Sequence, residues 1–387
     1  MRCKVVHLSS VHYPFDTRVF HKECVSLANA GYDVTLVAPY AGESAQFGSV
    51  RLRAVAPPRN RWERFTRTIP AVYRAAIEED AAIYHYHDPE LMPVGALLGM
   101  RGKRVIYDVH EDYSGAMSAK RWIPRSLRGF AAFGVQRCEQ FFAARCSRVV
   151  AATSTIAAKF PHATVSLVQN FPWLAELDRE GAPAYRTREP IVAHVGTLSR
   201  DRGLVEMTEA VKIAAARKPL RLLLAGLVKS GAGAGIDDLI GNLPIEMLGL
   251  LPRIQVAELL GRARIGIVTL HPTRNYLPSQ PTKLYEYMSA AIPVVASNFP
   301  AWCEIVDSSR CGLVVDPLDP DAIANAILWL LDHPAEAEEM GRRGRAAVRE
   351  RFNWEREADR LLSTYAELAP DEETLNAQVG VRSHGAA

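Results

Sequence analysis

The chain has 387 residues, which is long for one ordinary domain and predicts two domains of roughly 150–200 residues each. Hydrophobic residues make up 48% and charged residues 23%, a globular composition that excludes the disordered and fibrous classes. The formal net charge of +3 is too small to indicate nucleic-acid binding, and we predict no nucleic-acid partner.

The first residues, MRCKVVHLSSVHYP, contain a short apolar run but neither a signal-peptide core nor a small-residue cleavage pattern. No stretch approaches the roughly 18 uncharged apolar residues that a membrane span needs. The six cysteines show no C-x-x-C spacing and no histidine partner at zinc-finger spacing, which favours reduced thiols. Together these features predict a cytoplasmic protein.

Short apolar runs alternate with helical patterns through the first half of the chain. Residues 3–9 fit a buried parallel strand, residues 17–31 have helical spacing with Gly31 as the stop, and residues 33–38 fit a second strand. Further strands are predicted at 82–87, 104–110, 148–153 and 164–168, with helices at 90–100 and after 153, the latter opened by Ser154 or Thr155.

The same alternation restarts after a mixed, proline-containing segment at residues 173–189, where we place the domain boundary. Strands are predicted at 191–196, 221–226, 245–251, 265–270, 293–297 and 311–315. Helices are predicted at 204–217, 256–263, 282–290 and 320–331.

Two such series predict an α/β protein with two Rossmann-like, doubly wound parallel-sheet domains facing across a cleft. The expected divisions are 1–172, 173–355, a helix at 356–369 and a polar, disordered tail at 370–387. Because ligands bind beyond the carboxyl ends of parallel strands, this topology selects His7–Ser10, His85–Asp88, His110–Asp112, Gly196–Gly203 and Thr269–Lys283.

The segment from Leu277 to Ser297 contains the strongest candidate site. A helix that begins near Thr282 offers free N–H groups to a phosphate, and Lys283 in its first turn adds a positive charge. Glu286 lies three residues later on the same helix face. A cation beside a diphosphate and a carboxylate beside ribose hydroxyls would suit a nucleotide sugar. On spacing alone, a surface Lys–Glu pair on an exposed helix is the simpler interpretation.

Arginine and histidine follow other predicted strands. Arg200 and Arg202 lie in the loop bounded by Gly196 and Gly203, where they suit a diphosphate or form ordinary solvated loop charges. His85 and His87 share a sheet face, but sequence alone places no further ligands beside them, so we predict no metal site. His110 precedes two acidic residues, which makes it either a site histidine or a hydrogen-bonded structural one.

Several segments match, in order, those of one known family: 12–23 (HYPFDTRVFHKE), 87–91 (HDPEL), 107–112 (YDVHED), the 196–203 loop, 283–288 (KLYEYM) and 291–297 (AIPVVAS). On these segments the chain resembles family 4 of the retaining, GT-B-fold glycosyltransferases over nearly its whole length. Phe352–Trp354 and the helix after it resemble the family's C-terminal segment, which crosses back to the N-terminal domain.

The resemblance implies roles for individual residues. Glu286 matches the family's ribose-binding glutamate, Arg202 and Lys283 match diphosphate contacts, and His110 matches a cleft histidine near the transferred sugar. The expected catalytic residues are therefore His110, Lys283 and Arg202. Expected donor contacts are Glu286, Lys283, Arg202, Arg200, Gly196, Thr197, Ser279, Thr282 and Asn275. On the acceptor side we expect His87, Asp88, Glu111, Asp112, Asp16 and Arg18.

Two positions depart from the family pattern. Pro278 stands eight positions before Glu286, where the family has its first glutamate, and Thr197 stands directly after Gly196, where it has a basic residue. Contacts to the donor sugar must therefore come from elsewhere, for which Asn275 and Ser279 are the candidates.

The resemblance implies transfer of a hexose-type sugar from a UDP- or GDP-linked donor to a glycan or lipid-linked acceptor, with retention by front-face attack. Lys283, Arg202 and the helix N-terminus would stabilise the leaving phosphate, so no metal or other cofactor is expected. The alternatives are a non-catalytic GT-B partner subunit, a sugar-nucleotide epimerase of the same architecture, and an NAD-dependent enzyme. Against the NAD-dependent enzyme, the chain has no G-x-G-x-x-G motif after its first predicted strand.

Basic and aromatic residues are interleaved in the N-terminal half, which suits an anionic membrane face. The alternative is an ordinary solvated helix with core aromatics. One cluster contains Lys120, Arg121, Trp122, Arg125, Arg128, Phe130, Phe133, Arg137, Phe141, Phe142, Arg145 and Arg148, with Glu139 as its acid. A second contains Arg59, Arg61, Trp62, Arg64, Phe65 and Arg67. The inner face of the membrane is therefore the second expected location.

Overall fold

The computed structural model describes residues 2–119, 123–177, 183–229 and 240–369. The chain divides into two compact units. The N-terminal unit contains residues 1–170 together with the segment from Glu357 onward, and the C-terminal unit contains Phe171–Arg356. The tail predicted at 370–387 lies outside the described residues.

The N-terminal unit is built on a sheet in the order β3-β4-β2-β1-β5-β6-β7-β8, parallel except for the antiparallel pair of β3 and β4. Sequence analysis missed β3 and β4, whose exposed and arginine-containing segments lack a continuous apolar run. In chain order, β1 to β8 are Lys4–Leu8, Asp33–Pro39, Ala45–Phe47, Val50–Val55, Ile83–Tyr86, Arg104–Val109, Arg148–Ala151 and Val165–Leu167.

Helices cover this sheet. The segment predicted as one helix at 17–31 is a π-helical turn, Val19–Cys24, followed by a short α-helix, Val25–Asn29. The helix after β7 is capped by Thr153, whose side chain accepts a hydrogen bond from the Ile156 N–H, and not by Ser154 or Thr155. The other α-helices are Arg61–Glu63, Ile69–Glu79, Met92–Met100, Tyr113–Ala119, Arg125–Ala143, Ser154–Ala157 and, at the end of the chain, Trp354–Leu368.

The central strands of this unit are buried on both faces, and one face carries polar residues at the carboxyl ends of the strands. Val6 and Tyr84 point into an apolar core, whereas His7, His85 and Asp108 lie on the opposite face and are fully buried. The parallel register places His7 directly beside His85. Tyr365, from the helix Trp354–Leu368, reaches both imidazoles.

In the C-terminal unit the described strands form a fully parallel sheet in the order β11-β10-β9-β12-β13-β14. Successive residues of a strand pack into two different apolar cores, one on each face of the sheet. Ile191 and Ala193 lie in one core, and Val192 lies in the other. In chain order, β9 to β14 are Ile191–Val195, Arg221–Ala225, Ile245–Gly249, Ile265–Val268, Val294–Ser297 and Gly312–Val315. The α-helices are Leu174–Leu177, Leu204–Ala215, Arg253–Arg262, Thr282–Ser289, Pro300–Ser309, Pro320–Asp332 and Pro334–Glu350.

Each sheet has one position where the strand order reverses, between β1 and β5 in the N-terminal unit and between β9 and β12 in the C-terminal unit. Open parallel sheets bind ligands beyond the carboxyl ends of the strands at such a position. The loops after β9 and β12 therefore mark the expected site of the C-terminal unit, and those after β1 and β5 mark that of the N-terminal unit.

The helix Thr282–Ser289 is held against the reversal point of its sheet by Tyr287. The Tyr287 hydroxyl accepts a hydrogen bond from the Val195 N–H at 3.0 Å and donates one to the Ile267 carbonyl at 3.2 Å. Gly266 makes this fit possible, because a Cβ there would lie 2.3 Å from the tyrosine ring. Among the described residues, no helix is long and apolar enough to span a bilayer.

Candidate functional site

Lys283 is buried, although a lysine side chain ordinarily carries a positive charge at neutral pH. It lies in the first turn of the helix Thr282–Ser289, and its Cε and Nζ occupy the space beside Gly196. A Cβ on Gly196 would lie 2.3 Å from Cε and 2.7 Å from Nζ, and its φ of +122° also favours glycine. Burial, with the positive charge of Arg202, lowers the pKa of Lys283 to about 8.

Glu286 is also buried, so the two side chains do not form the exposed surface pair that spacing alone favoured. Its Oε1 instead lies 2.8 Å from Nη1 of Arg253, which begins the helix after β11. Arg253 pairs in turn with Glu176. The carboxylate of Glu286 is thereby held in place near Lys283, and its position suits recognition of hydroxyl groups.

Arg202 lies in the 3₁₀ turn Arg200–Arg202 that follows β9, and its guanidinium carbon is 5.7 Å from the centre of the Tyr276 ring. The Tyr276 hydroxyl donates to Asp201 at 3.0 Å, and the Asp201 carbonyl accepts from the His271 N–H at 3.0 Å. These bonds connect the loop after β9 with the loop after β12. Gly203, at φ +76°, lies so close to the Thr269 carbonyl that no side chain would fit.

The remaining predicted donor residues differ in their surroundings. Thr197 and Thr282 are half-buried next to Gly196 and Lys283 in the chain, and Arg200 and Asn275 are exposed. Ser279 donates its hydroxyl to the Tyr276 carbonyl, and its own carbonyl accepts from the Trp302 indole N–H. The structure therefore brings Gly196, Arg202, Lys283 and Glu286 together; we call these four residues the Lys283 site.

His194 is fully buried on β9 and was not among the predicted site residues. Its Nδ1 donates to the Ile267 carbonyl at 3.1 Å, whereas its Nε2 has no hydrogen-bond partner among the described residues. Burial and the nearby charge of Lys283 lower the pKa of His194 to about 3. The imidazole therefore stays neutral and adds no further positive charge beneath Lys283.

In the N-terminal unit the candidate site is organised by Asp108, at the end of β6. Its Oδ1 lies 2.7 Å from Nη2 of Arg18, and its Oδ2 is 3.0 Å from Nδ1 of both His87 and His110. Burial would raise the pKa of Asp108, but these partners, Arg18 above all, hold it well below its usual range. The ionised carboxylate fixes the Nδ1–H form of both histidines.

His110 is partly exposed, and its Nε2 lies 3.1 Å from Nε2 of His12. The Nδ1 of His12 is 2.8 Å from the buried carboxylate of Asp88. Burial opposes a charge on His12, but the hydrogen bond and charge of Asp88 outweigh it and raise its pKa to about 9. His12 is therefore an imidazolium that donates to His110 through one nitrogen and to Asp88 through the other.

The predicted acceptor-side residues do not form one exposed group. Arg18, His87 and Asp88 are buried, and in this structure they support Asp108 and His12 instead of presenting free surfaces. Asp16 accepts hydrogen bonds from the N–H groups of Arg18 and Val19. The two remaining residues are Glu111, which is exposed, and Asp112, which pairs with Lys159 and accepts from the Ser114 hydroxyl and the Gly115 N–H.

Sequence reasoning missed Asp108, His12 and Arg253. Asp108 was detectable, because it lies two residues before His110 and so shares its sheet face. His12 lies within the matching segment 12–23 but has no local pattern that marks it. Arg253 reaches Glu286 only through the packing of two helices, which residue spacing does not reveal.

Comparison with known proteins finds a matching family model for each half of the chain. Residues 17–165 match the family model described as Glycosyltransferase Family 4, and residues 189–333 match the model described as Glycosyl transferases group 1. The chain is 28% identical over 192 residues to alpha-maltose-1-phosphate synthase of Mycolicibacterium smegmatis, covering 46% of this chain and 48% of that enzyme. It is 27% identical over 180 residues to O-antigen chain mannosyltransferase B of Escherichia coli, covering 44% of each.

The chain thus spans about half the length of the curated relatives it matches. Solved structures are similar over nearly the whole chain. Sucrose-phosphate synthase from Thermosynechococcus elongatus superposes with a TM-score of 0.73 at 20% identity, over 95% of this chain and 99% of that one. Anabaena HepE in complex with UDP-glucose gives a TM-score of 0.71 at 13% identity, over 94% and 99%. These likenesses establish the GT-B fold.

The buried ammonium of Lys283 predicts that this residue destabilises the ligand-free protein. Lys283→Met keeps most of the side-chain volume and removes the desolvated charge, so we expect stabilisation of roughly 1–2 kcal/mol at pH 7, or a few degrees in Tm. Differential scanning fluorimetry of the ligand-free protein measures this. The gain should shrink as the pH rises from about 8 towards 10.5, where the unfolded chain still holds the proton that native Lys283 has lost.

Lys212→Met is the matched control, because Lys212 is an exposed lysine that pairs with Glu209 three residues away. This substitution should leave the Tm unchanged both at pH 7 and at the higher pH values. A Lys283→Met protein that melts below the wild type would show that Lys283 contributes stability, contrary to this prediction.

Proposed function

The chain belongs to the family 4 glycosyltransferases of GT-B fold, and on that premise we propose that it is an enzyme that moves a hexose-type sugar from a nucleotide-diphosphate sugar to an acceptor. The acceptor class we propose is a glycan or a lipid-linked glycan. UDP- and GDP-linked sugars are the candidate donors, and the complex of the structural neighbour HepE with UDP-glucose supports the first of these.

The observation that carries the proposal is the buried positive charge of the Lys283 site. Lys283 and Arg202 lie at the point where the strand order reverses, beside a helix N-terminus that no described side chain caps. Two cations and a helix dipole form a site for a diphosphate. Glu286, positioned by Arg253, would accept hydrogen bonds from the ribose hydroxyls.

The proposed reaction proceeds with retention by front-face attack. When the bond between the sugar and the diphosphate breaks, negative charge develops on the leaving phosphate, and Lys283 and Arg202 would stabilise it without a metal ion. The departing phosphate would help to deprotonate the acceptor hydroxyl, so no enzymic nucleophile is assigned. We give His110 the role of a contact to the transferred sugar, with Asp108 and His12 holding its ring.

A non-catalytic partner subunit is the second candidate, and Pro278 favours it, because the usual sugar-binding glutamate is missing at that position. An epimerase remains the third. The three differ in products: a transferase forms a glycoside, an epimerase changes the donor sugar, and a partner subunit does neither.

The N-terminal unit carries a surface that suits an anionic membrane. Leu127, Phe130, Phe133 and Phe141 on the helix Arg125–Ala143 are each more than half exposed, so they are not the core aromatics of the alternative interpretation. Arg125, Arg137 and Arg145 are exposed on the same helix, and Trp62 and Phe65 are exposed beside Arg61 and Arg67 in a second segment. We call these two groups together the basic–aromatic surface and propose that they contact the membrane holding the acceptor. Lys120, Arg121 and Trp122 lie outside the described residues.

Nucleotide binding tests the Lys283 site directly. In a thermal-shift panel of UDP-, GDP- and ADP-sugars, at least one donor should raise the Tm of the wild type. Lys283→Ala should weaken that binding roughly 10–100-fold, because hydrogen bonds to charged groups are worth about 1.5–3 kcal/mol. Glu286→Gln should weaken it less, since the amide keeps one acceptor oxygen.

The exposed pair Lys212 and Glu209 has the same spacing as Lys283 and Glu286 and provides matched controls. Lys212→Ala and Glu209→Gln should bind nucleotide sugars as the wild type does. A wild type that no nucleotide sugar stabilises would contradict the proposed donor site.

The titration of Lys283 predicts how donor binding depends on pH. Below about pH 8 the ammonium is charged and binds the diphosphate, and above it the proton is lost, so the donor Kd should rise with pH from about 8 upward. Isothermal titration calorimetry between pH 6.5 and 9.5 (roughly the range that brackets this pKa) would measure the change. Lys283→Arg should remove the pH dependence, since arginine stays charged throughout. An unchanged slope in that variant would assign the titration to another group.

Flotation with lipid vesicles tests the basic–aromatic surface. The protein should float with vesicles that contain an anionic phospholipid and remain in the soluble fraction with purely zwitterionic ones, and high salt should reduce the binding. Phe130→Ser/Phe133→Ser should abolish flotation, whereas Leu250→Ser, at an exposed leucine of the C-terminal unit, should not affect it. Full recovery of the wild type in the soluble fraction at low salt would rule this surface out.

A further inference from the structure

Four ionisable side chains meet in the interior of the N-terminal unit, away from the exposed part of His110. His7 lies on β1, His85 lies on β5, His87 follows β5, and Glu23 lies in the turn Val19–Cys24. All four are fully buried, and one ligand atom from each lies within 4.8 Å of the others. We call these four residues the histidine cluster. The proposed sugar transfer assigns none of them a contact to the donor, although His87 supports Asp108.

The cluster leaves polar atoms without partners. Oε2 of Glu23 and Nε2 of His85 have no hydrogen-bond partner among residues 2–119, 123–177, 183–229 and 240–369, whereas Oε1 of Glu23 is ion-paired with Arg18. Buried polar atoms nearly always have a partner, because leaving one unsatisfied costs about 1–3 kcal/mol. Two such atoms on neighbouring side chains of one small cluster indicate that a binding partner belongs there.

The charges around the cluster point to a cation. Arg18 faces two carboxylates at once, with Nη2 2.7 Å from Asp108 and Nε 3.0 Å from Glu23. A single guanidinium is therefore shared between two buried carboxyl groups, and three imidazoles lie beside Glu23. A carboxylate beside imidazoles is a set of ligands suited to a metal.

We propose that His7, Glu23, His85 and His87 bind one divalent transition-metal ion, with zinc the best fit. Three imidazoles and one carboxylate match the nitrogen and oxygen ligands of a closed, four-coordinate zinc site. Nδ1 of His7 and Nε2 of His87 are 2.9 Å apart, close to the roughly 3.4 Å between neighbouring ligands of a tetrahedral zinc ion. Small movements of the rings would complete the geometry.

The surroundings orient the ligands as in known metal sites. Asp108 accepts a hydrogen bond from Nδ1 of His87 at 3.0 Å, which leaves Nε2 of that ring deprotonated and directed at the cluster. The Tyr365 hydroxyl is 3.1 Å from Nε2 of His7 and therefore serves as the outer partner when Nδ1 binds the metal. Asp108 itself is a poorer ligand, because Arg18 and two histidines already share its oxygens.

The proposed ion has a structural role. Its ligands come from β1, the end of β5 and the turn Val19–Cys24, so one ion would connect three separate segments of the N-terminal unit. No ligand is exposed, which is typical of structural sites and leaves no open position for a substrate. The site lies in a different unit from Lys283, so it does not alter the metal-independent transfer proposed above.

The competing arrangement is a hydrogen-bonded chain without a metal. In it His87 donates to Asp108, His7 to His87 and Tyr365 to His7, and His85 donates to Tyr365 at 2.8 Å. This chain satisfies every nitrogen except Nε2 of His85, and it leaves Glu23 with Arg18 as its ion-pair partner and with no hydrogen bond to Oε2. The two arrangements differ in one measurable respect, the metal content of the protein.

Elemental analysis of the full chain decides between them. The protein is expressed without a polyhistidine tag, purified without chelators, and examined by inductively coupled plasma mass spectrometry. We expect about one zinc per chain, with loss of most of it in Glu23→Gln and in His85→Asn. The matched control is His162→Asn, which changes an exposed histidine and should retain the metal. Replacement by Co²⁺ should give the intense visible bands of a four-coordinate site.

Two further readouts keep the test valid if a variant folds poorly. A chelator should lower the Tm of the wild type, and added Zn²⁺ should restore it, while neither should affect His85→Asn. Stabilisation by a nucleotide sugar reports on the C-terminal unit and therefore confirms folding independently of the metal. A wild type that lacks metal and does not respond to Zn²⁺, or metal retained in full by His85→Asn, would overturn the proposal. Neither result would affect the donor site.

Discussion

The ammonium of Lys283 occupies the space that a side chain on residue 196 would otherwise fill, and the C-terminal unit is arranged around that contact. Gly196 ends β9 with a positive φ, Gly203 turns the following loop back, and Tyr287 anchors the lysine's helix to β9 and β12. Each feature brings the loops of two neighbouring strands within reach of one charge. The consequence is a buried cation without a carboxylate of its own, because Glu286 beside it is paired with Arg253.

In the N-terminal unit the buried charge is negative, and the protein itself balances it. Asp108 is a fully buried anion, and Arg18 and two histidines satisfy it inside the protein. Because its charge is balanced, Asp108 can set the proton positions of both rings, which leaves Nε2 of His110 as an acceptor next to the charged His12. One unit therefore contains a positive charge that its own carboxylates do not balance, which fits the anionic donor proposed above, whereas the other balances its charges in an internal network.

Sequence analysis predicted most strands, because a strand buried on both faces reads as a continuous apolar run. It missed β3 and β4, where exposed residues and arginines interrupt that pattern. It placed Lys283 and Glu286 on one helix face but could not show that the helix is buried, since burial depends on elements far away in the chain. Likewise, His7 and His85 are neighbours only because β1 pairs with β5, and local patterns do not define strand order.

Pro278 illustrates how the local fold limits what can replace a missing contact. Around it the backbone forms tight turns, in which the Leu277 N–H bonds to the Thr273 carbonyl and the Ser279 N–H bonds to that of Tyr276. The Ser279 hydroxyl also donates to the Tyr276 carbonyl, so it has only acceptor capacity left for a sugar.

Asn275 lies three residues before Pro278 in the same loop and is exposed. Its side chain has both a carbonyl oxygen that accepts hydrogen bonds and an NH₂ group that donates them. A sugar hydroxyl both donates and accepts hydrogen bonds, so an amide can satisfy it in either direction, as the glutamate of related proteins could not. Of the two candidates named from the sequence, we therefore propose Asn275 as the contact that replaces the missing glutamate. A neutral contact there would also leave Lys283 and Arg202 as the dominant charges at the donor.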